Sequence, residues 1–370
     1  MTAVHPFHDP RRVAALTTRI HELAHTLPRS VTFMEVCGTH THAIAAAGLR
    51  RLLPPNVRLV AGPGCPVCVT PVDYLDHALA LAARPDVTIC TFGDLLRVPA
   101  SRRDSLERAS ARGADVRIVY SPRDAVQWAR ALPQRRVVFL AVGFETTMPT
   151  VAAALAEAET TGVANFLVLS GAKVIEPPLR ALLHDPELQL DGFLLPGHVS
   201  VILGADFYRF LTTECAVAAA IAGFTPVDIQ LAMVELLTQV QQHSPRVANL
   251  YPRAVTAAGN RTAQELLARW FEPADTRWRG LGTIPGSGLR LRAEFVHRDA
   301  ARLPVELPVS VEPKGCRCGE VLRGTITPPQ CPLFGRGCTP DHPIGACMVS
   351  GEGSCAAWFR HERHAVEVSS

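Results

Sequence analysis

Seven short apolar runs, at residues 31–36, 57–61, 87–91, 116–120, 137–142, 166–169 and 192–195, punctuate the first two hundred residues. Each is rich in Val, Ile, Leu or Phe, and segments of helical period separate them. A parallel sheet is covered on both faces, so its strands need no polar alternation and read as continuous hydrophobic runs. The expected class is α/β. Pro133-Gln-Arg-Arg136 before the fifth run suggests a boundary there, giving one α/β domain over residues 1–133, a second over 134–303 and a small module over 304–370. In the second domain the pattern beyond residue 225 reads as mainly helical. A helix is expected over 226–242, another opens at the capping box Thr262-Ala-Gln-Glu265 and runs to Phe271, and 280–288 reads as loop.

The unusual residues sit where the runs end. Cys37-Gly38 follows the first and Gly62-Pro-Gly64-Cys65 the second. Phe92-Gly93-Asp94 follows the third, Gly143-Phe-Glu145 the fifth and Pro196-Gly-His198 the seventh. Ligand crevices of open parallel sheets lie at the carboxyl ends of the strands, so these loops are the expected address for function. Asp94 and Glu145 read equally as acid–base groups or as loop caps, and His198 as a ligand, a proton donor or a satisfied loop histidine.

Eleven cysteines, an odd number with C-x-C and C-x-x-C spacings, fit thiols used as ligands or redox groups in a reducing compartment better than a disulfide framework. One group is Cys37, His40, Cys65 and Cys68 in Gly- and Pro-rich loops. Thr70, Pro71 and Asp73 have the grammar of a helix start, which would hold the C-x-x-C pair at a helix N-terminus and favour thiolates. Both a zinc site and a thioredoxin-like pair fit these residue types. The second group holds Cys316, Cys318, Cys331, Cys338, Cys347 and Cys355 in 40 residues dense in glycine. Four cysteine sulfurs are the usual ligand set of an iron–sulfur cluster, which would leave two thiols able to cycle between dithiol and disulfide; zinc ribbons usually show paired C-x2-C knuckles, absent here. Cys90, in a strand, and Cys215, in an apolar stretch read as helical, are expected to be inert core thiols.

A net charge of +3 and 6% aromatic residues provide no basic stripe with stacking side chains, which argues against nucleic acid as a partner. No apolar run reaches membrane-spanning length, and residues 1–12 lack a signal-peptide core, so a cytoplasmic protein without a membrane partner is expected. No phosphate-binding loop is present.

Seven stretches together resemble the HypD family of hydrogenase maturation factors: Met34-Glu-Val-Cys-Gly-Thr-His-Thr-His42, Gly62-Pro-Gly-Cys-Pro-Val-Cys68, Thr91-Phe-Gly-Asp94, Gly143-Phe-Glu-Thr-Thr147, Pro196-Gly-His-Val-Ser200, Cys316-Arg-Cys-Gly319 and Cys347-Met-Val-Ser350. The resemblance implies two doubly wound parallel-sheet domains of similar architecture plus a small Cys-rich domain holding a [4Fe–4S] cluster. It implies a scaffold on which an Fe(CN)2CO moiety is assembled with a HypC-type chaperone and HypE, for the large subunit of a [NiFe]-hydrogenase. By motif, Cys37, Cys65 and Cys68 would be the iron-binding thiols of the assembly cleft, with His40 assisting. The family spacing C-x14-C-x6-C-x16-C falls on Cys316, Cys331, Cys338 and Cys355, leaving Cys318 and Cys347 as a redox pair resembling that of ferredoxin:thioredoxin reductase. A stand-alone iron–sulfur thiol/disulfide oxidoreductase is the alternative reading.

Overall fold

The computed structural model describes residues 9–363; most of the stretch 1–12 and the last residues of the module expected over 304–370 lie outside them. All seven expected runs are strands: β1 Val31–Glu35, β2 Val57–Ala61, β3 Val87–Thr91, β4 Val116–Ile118, β5 Arg136–Gly143, β6 Phe166–Ala172 and β7 Gly192–Pro196. Four more follow, β8 Ala218–Ala222, β9 Val247–Asn249, β10 Phe271–Trp278 and β11 Gly282–Leu291. Two all-parallel sheets result, ordered β2-β1-β7-β8-β9 and β4-β3-β5-β6, and β10 pairs with β11 as an antiparallel hairpin. The class is α/β. Among the described residues no helix is long and apolar enough to cross a membrane.

Each sheet draws strands from both sides of the boundary expected at 133/134. β3 and β4 join β5 and β6, while the chain returns from β6 to the first sheet and adds β7, β8 and β9 beside β1. A linear division cannot see this, because strand pairing depends on which edge is open when the next strand arrives, not on punctuation between neighbours.

The shared strand order has a consequence for function. In the first sheet the chain leaves β1 toward β2 on one side and continues through β7 and β8 on the other; in the second, β3 leads to β4 on one side and β5 to β6 on the other. Strand order therefore reverses between β1 and β7 and between β3 and β5. At such points the connections diverge and leave a crevice at the strands' carboxyl ends. Cys37 and His198 flank the first crevice; Asp94 and the segment 143–147 flank the second.

Beyond residue 200 the sequence reading differs from the structure in several places. β8 is Ala-Ala-Ala-Ile-Ala, fully buried, and alanine has the highest helix propensity. Here packing overrides propensity: small side chains let the helix Pro226–Gln241 lie closely on the sheet, its start fixed by the Thr225/Asp228 capping box. Cys215 sits in a bend before this strand, partly exposed, rather than in a helix. The loop expected at 280–288 is mostly β11. Gly280 and Gly282 take φ of +79° and +76° to turn the hairpin, so glycines that suggest loop instead make the tight reversal. The helix before it runs Arg261–Trp270, capped by Asn260 rather than Thr262.

The hairpin docks on β6. Ser170 Oγ donates to Leu289 O, Val174 N to Ser287 O, and the buried Trp278 indole donates to Ser287 Oγ at 2.8 Å. The last segment has only short helices, Cys318–Arg323 and Ser354–His361, with 3-10 turns at Pro328–Gln330 and Ala346–Met348. Its buried side chains, among them Leu322, Ile344 and Met348, are continuous with the core around Cys65, Cys68 and Val69.

Candidate functional site

The segment after β1 turns into the helix Gly38–Ala46 with Cys37 at its N-cap, and the segment after β2 into the one-turn helix Pro66–Val69 capped by Cys65. A helix does start where Thr70, Pro71 and Asp73 predict one, Val72–Ala82, but the pair sits on the separate turn before it, which Cys65 starts: its Sγ accepts from Cys68 N at 3.2 Å, and Thr70 Oγ1 donates back to Pro66 O. The two loops press together. Gly38 N donates to Gly64 O, and a Cβ on Gly64 would come 2.2 Å from Cys37 N. Only glycine fits there. Gly64→Ala is expected to force these loops apart and cost about 1–3 kcal/mol in urea unfolding; an unchanged midpoint would mean that the contact is not maintained in solution.

A cavity of about 200 Å³ opens where the carboxyl ends of both sheets face each other. Cys37, His198, Thr146, Thr147 and Glu352 are on its walls, with Gly64 and Pro66 from the second loop. Cys65 and Cys68 lie immediately behind that wall, both buried and joined as a disulfide, with Cα atoms 5.2 Å apart. Burial pushes the Cys37 thiol up to about 12, despite hydrogen bonding from the backbone of the helix that it caps. Burial therefore favours its neutral thiol form.

His40 does not reach this cavity. It is fully buried on the next turn, Nε2 donating to Gly223 O at 2.9 Å, with its ring against Phe224. That bond assigns the proton to Nε2 and leaves Nδ1 without a partner; burial lowers the imidazole to about 4. His198 stacks on the same Phe224 at 4.0 Å, so an aromatic ring separates the histidine on the cavity wall from the one behind it. His42 lies against His361 of the last helix.

The flanking carboxyls divide. Asp94 accepts from Ser350 Oγ at 2.9 Å, linking the Phe92-Gly93-Asp94 stretch to the last segment. Glu145 is fully buried: Oε1 accepts from Ile175 N at 2.9 Å while Oε2 has no partner, and burial raises its carboxyl to about 7. A carboxyl raised on folding stabilises the fold below its unfolded value, and that contribution is lost as pH climbs through the folded value. Between about pH 5 and pH 7 the protein should therefore lose up to about 3 kcal/mol that Glu145→Gln does not lose. Parallel stability–pH curves for the two proteins would contradict this.

Two side chains that the sequence reading passed over belong to the site. Glu352 reaches it from the last segment, Oε1 accepting from Thr39 Oγ1 at 2.6 Å, and its side chain fills the space a Cβ on Gly38 would need. Its signal was a carboxylate flanked by Gly351 and Gly353 inside the cysteine-rich stretch. Glu35, buried beneath Cys37, accepts from Thr41 Oγ1 and Cys37 N and faces Arg50 at 3.5 Å. Arg50 also pairs with Glu362 at 3.0 Å and lies over Trp358, which fastens the last helix to the first sheet.

All six late cysteines line one apolar void with Val321, Leu333, Phe334, Gly345 and Met348. Cys318 and Cys347 Sγ are 2.8 Å apart. Hydrogen bonds from Cys316 and Cys347, with the nearby charge of Arg279, hold Cys318 well below the usual thiol range, while Cys347 is held above it. Ile344 N donates to Cys338 Sγ at 3.3 Å, and Gly345 leaves room for Cys316 Sγ, 2.7 Å from where a Cβ would stand. The turn Ala346–Met348 packs on the Pro66–Val69 helix, so the two cysteine groups of the sequence adjoin in space. Cys90 is an inert thiol within β3, pushed up to about 12 by burial.

Among the described residues no three His, Cys, Asp or Glu side chains converge on a single ion position. In the cleft, two of the three sulfurs are bonded to each other. Around the second void the six thiols line a space rather than converge on one point.

The family model described as "Hydrogenase formation hypA family", HypD, matches residues 11–362. The chain belongs to the HypD family. It is 46% identical to the hydrogenase maturation factor HypD of Rhizobium leguminosarum bv. viciae over 92% of this chain and 90% of that protein. It is 45% identical to that of Azotobacter vinelandii over 98% and 97%, and 44% identical to that of Escherichia coli K12 over the whole of both. As a HypD-family chain it carries the stretches around Cys37, Cys65 and His198 at the strand ends described above, and that around Cys347 in the turn packed on the Pro66–Val69 helix.

Proposed function

We propose that this HypD-family chain is the scaffold on which iron acquires cyanide and carbon monoxide before transfer to the large subunit of a [NiFe]-hydrogenase. The observation that carries this reading is the position of Cys37: a buried thiol at a strand-order reversal, on the wall of a cavity built from both sheets and backed by the Cys65–Cys68 pair. The iron is cargo. Iron bearing strong-field ligands suits soft sulfur donors, and Cys37, with Cys65 and Cys68 once their bond is opened, supplies them. Binding displaces the Cys37 proton, and Glu352, the carboxyl on the same wall, is placed to take it. His40, away from the cavity, acts through Phe224 by fixing the wall that carries His198. A HypC-type chaperone sharing the iron and HypE supplying cyanide are the partners this role requires, all in the cytoplasm.

The four thiols Cys316, Cys331, Cys338 and Cys355 fit a [4Fe–4S] cluster: they share one apolar void with a glycine where the backbone must come close and with an N–H already directed at sulfur. When bound, such a cluster would supply single electrons that reduce the disulfide form of the Cys318/Cys347 pair beside it. Cys318 and Cys347 then serve as the two-electron pair. A Cys318 thiolate attacks one sulfur of the Cys65–Cys68 disulfide, that bond breaks, and Cys347 resolves the mixed disulfide. A new Cys318–Cys347 bond forms, and the Cys347 proton together with one taken up from solvent leaves Cys65 and Cys68 as thiols. Opening the cleft pair in this way readies it for iron.

Iron and sulfide analysis of anaerobic protein, produced with and without the two partners, tests this reading. Iron in excess of sulfide only when the partners are present is expected; equal amounts in every preparation would contradict it.

A further inference from the structure

Three threonine hydroxyls belong to the wall of the Cys37 cavity, and only one of them is engaged. Thr39 Oγ1 donates to Glu352 at 2.6 Å. Thr146 and Thr147, which follow β5, line the same space, and neither side chain has a hydrogen-bond partner among the described residues. Both are half-buried, and neither hydroxyl is closed off from solvent. Thr147 stands at the N-cap of the helix Met148–Thr160, where a threonine hydroxyl normally accepts from an N–H of the first turn. Here its backbone is already helical, at φ −88° and ψ −37°, and the hydroxyl makes no capping bond. Helix stability therefore does not explain it. Much of the remaining wall is of the opposite kind: Val36, Phe144, Ile175 and Val199 are buried and apolar. At about 200 Å³ the space falls short of the about 300 Å³ at which pockets for organic ligands begin, and suits a metal ion with a few diatomic ligands.

We infer that the hydroxyls of Thr146 and Thr147 are the cyanide-binding donors of the cleft: they take the cyanide nitrogens of the iron assembled at Cys37 and leave carbon monoxide to the apolar wall. The inference rests on the assembly role proposed above and adds the residues that tell its two ligand types apart. Cyanide bound to iron through carbon keeps negative charge and a nitrogen lone pair that points away from the metal, so it accepts hydrogen bonds strongly; the oxygen of bound carbon monoxide is nearly neutral and accepts them poorly. The two ligands have the same shape. A site built with donors rejects the isostere that cannot accept, because the donors are then left unpaired. Both hydroxyls are free beforehand, so no protein bond breaks when they engage. The N-terminus of the helix Met148–Thr160 places positive potential on the same side. Threonine donors are also uncharged and hold an anion without the tight pairing of a buried cation, which suits a cargo that must leave.

The test is infrared spectroscopy of the full-length protein, produced anaerobically with a HypC-type chaperone and HypE and recorded in H2O and in D2O. In the parent the cyanide bands should move on transfer to D2O, because the hydrogens bonded to nitrogen exchange. Thr147→Val keeps the shape of the side chain and removes the donor. It should shift a cyanide band, reduce its response to D2O and speed the loss of iron to a chelator about tenfold, the scale of one hydrogen bond to a charged group. Thr147→Ser restores a hydroxyl and should return the band toward its parental position. Cyanide bands that stay in place in Thr147→Val overturn the inference, as does a Thr147→Ser protein shifted as far as Thr147→Val, the mark of a purely structural role. If Thr147→Val does not fold, Thr146→Val decides by the same reading. Bands missing from the parent itself would sink the assembly role and this inference with it, whereas bands present but unmoved by the valine substitution sink this inference alone.

Discussion

Cys37→Ala is expected to remove all iron in excess of sulfide, and with it every carbon monoxide and cyanide band, while the protein stays folded. The effect should be complete rather than graded because Cys37 is the cleft sulfur on the cavity wall, while Cys65 and Cys68 stand behind it. The stability cost should be small. Loss of one buried sulfur from a loop already braced by Gly64 and by Thr41 Oγ1, which donates to Cys37 O, removes few contacts, and about 1 kcal/mol is the scale for so small a truncation. Anaerobic co-production with the partner proteins, followed by metal analysis and a melting curve, checks both halves. Excess iron retained at parental levels would relocate the cargo site; a collapsed melting curve would make Cys37 a folding residue instead.

Cys331→Ala should bleach the iron–sulfur absorption of the anaerobic protein and deplete iron and sulfide together. Cys331 is one of four thiols on the late void, and a cubane missing one of its four ligands is exposed to loss. The two parallel sheets should survive. They are built from strands whose pairing nowhere involves residues beyond 300, and the hairpin closes on β6 independently. Because Leu322, Ile344 and Met348 share a core with Val69, however, the variant should lose protection of amides in the Pro66–Val69 helix as well as in the last segment. Hydrogen exchange read by mass spectrometry separates these regions. Exchange spreading through β1, β5 and β7 would show that the sheets depend on the cluster.

The inner strands up to residue 200 were legible because parallel strands buried on both faces read as continuous apolar runs: β3, Val-Thr-Ile-Cys-Thr, is buried at every position, while the edge strand β4 is only partly covered. Their carboxyl-end loops were legible for the same reason, since crevice position follows from strand direction. β8 was not, because its alanines speak for a helix and only the neighbouring helix and sheet decide otherwise. Nor were β10 and β11, where Pro273, Pro285 and three glycines mask an alternation that the antiparallel register uses. The way β3–β6 are inserted between β2 and β7 also lies beyond local pattern, since nothing in a strand names its partner. Within the site, cysteine type and spacing pointed to both sulfur groups, but not to their adjacency through the Pro66–Val69 helix and the Ala346–Met348 turn. His40 looked like a ligand because it stands three residues from Cys37; a helical turn at that spacing instead carries its ring away from the crevice and onto Phe224. Glu352 was passed over for the opposite reason: its flanking glycines mark it, but it enters the site from a distant segment.

Infrared spectroscopy of the anaerobically isolated protein, produced together with a HypC-type chaperone and HypE, bears most directly on the cleft as the place of iron assembly. Carbon monoxide and cyanide stretching bands should accompany the parent protein and be missing from Cys37→Ala. Bands of equal intensity in both proteins, or in neither, would contradict it.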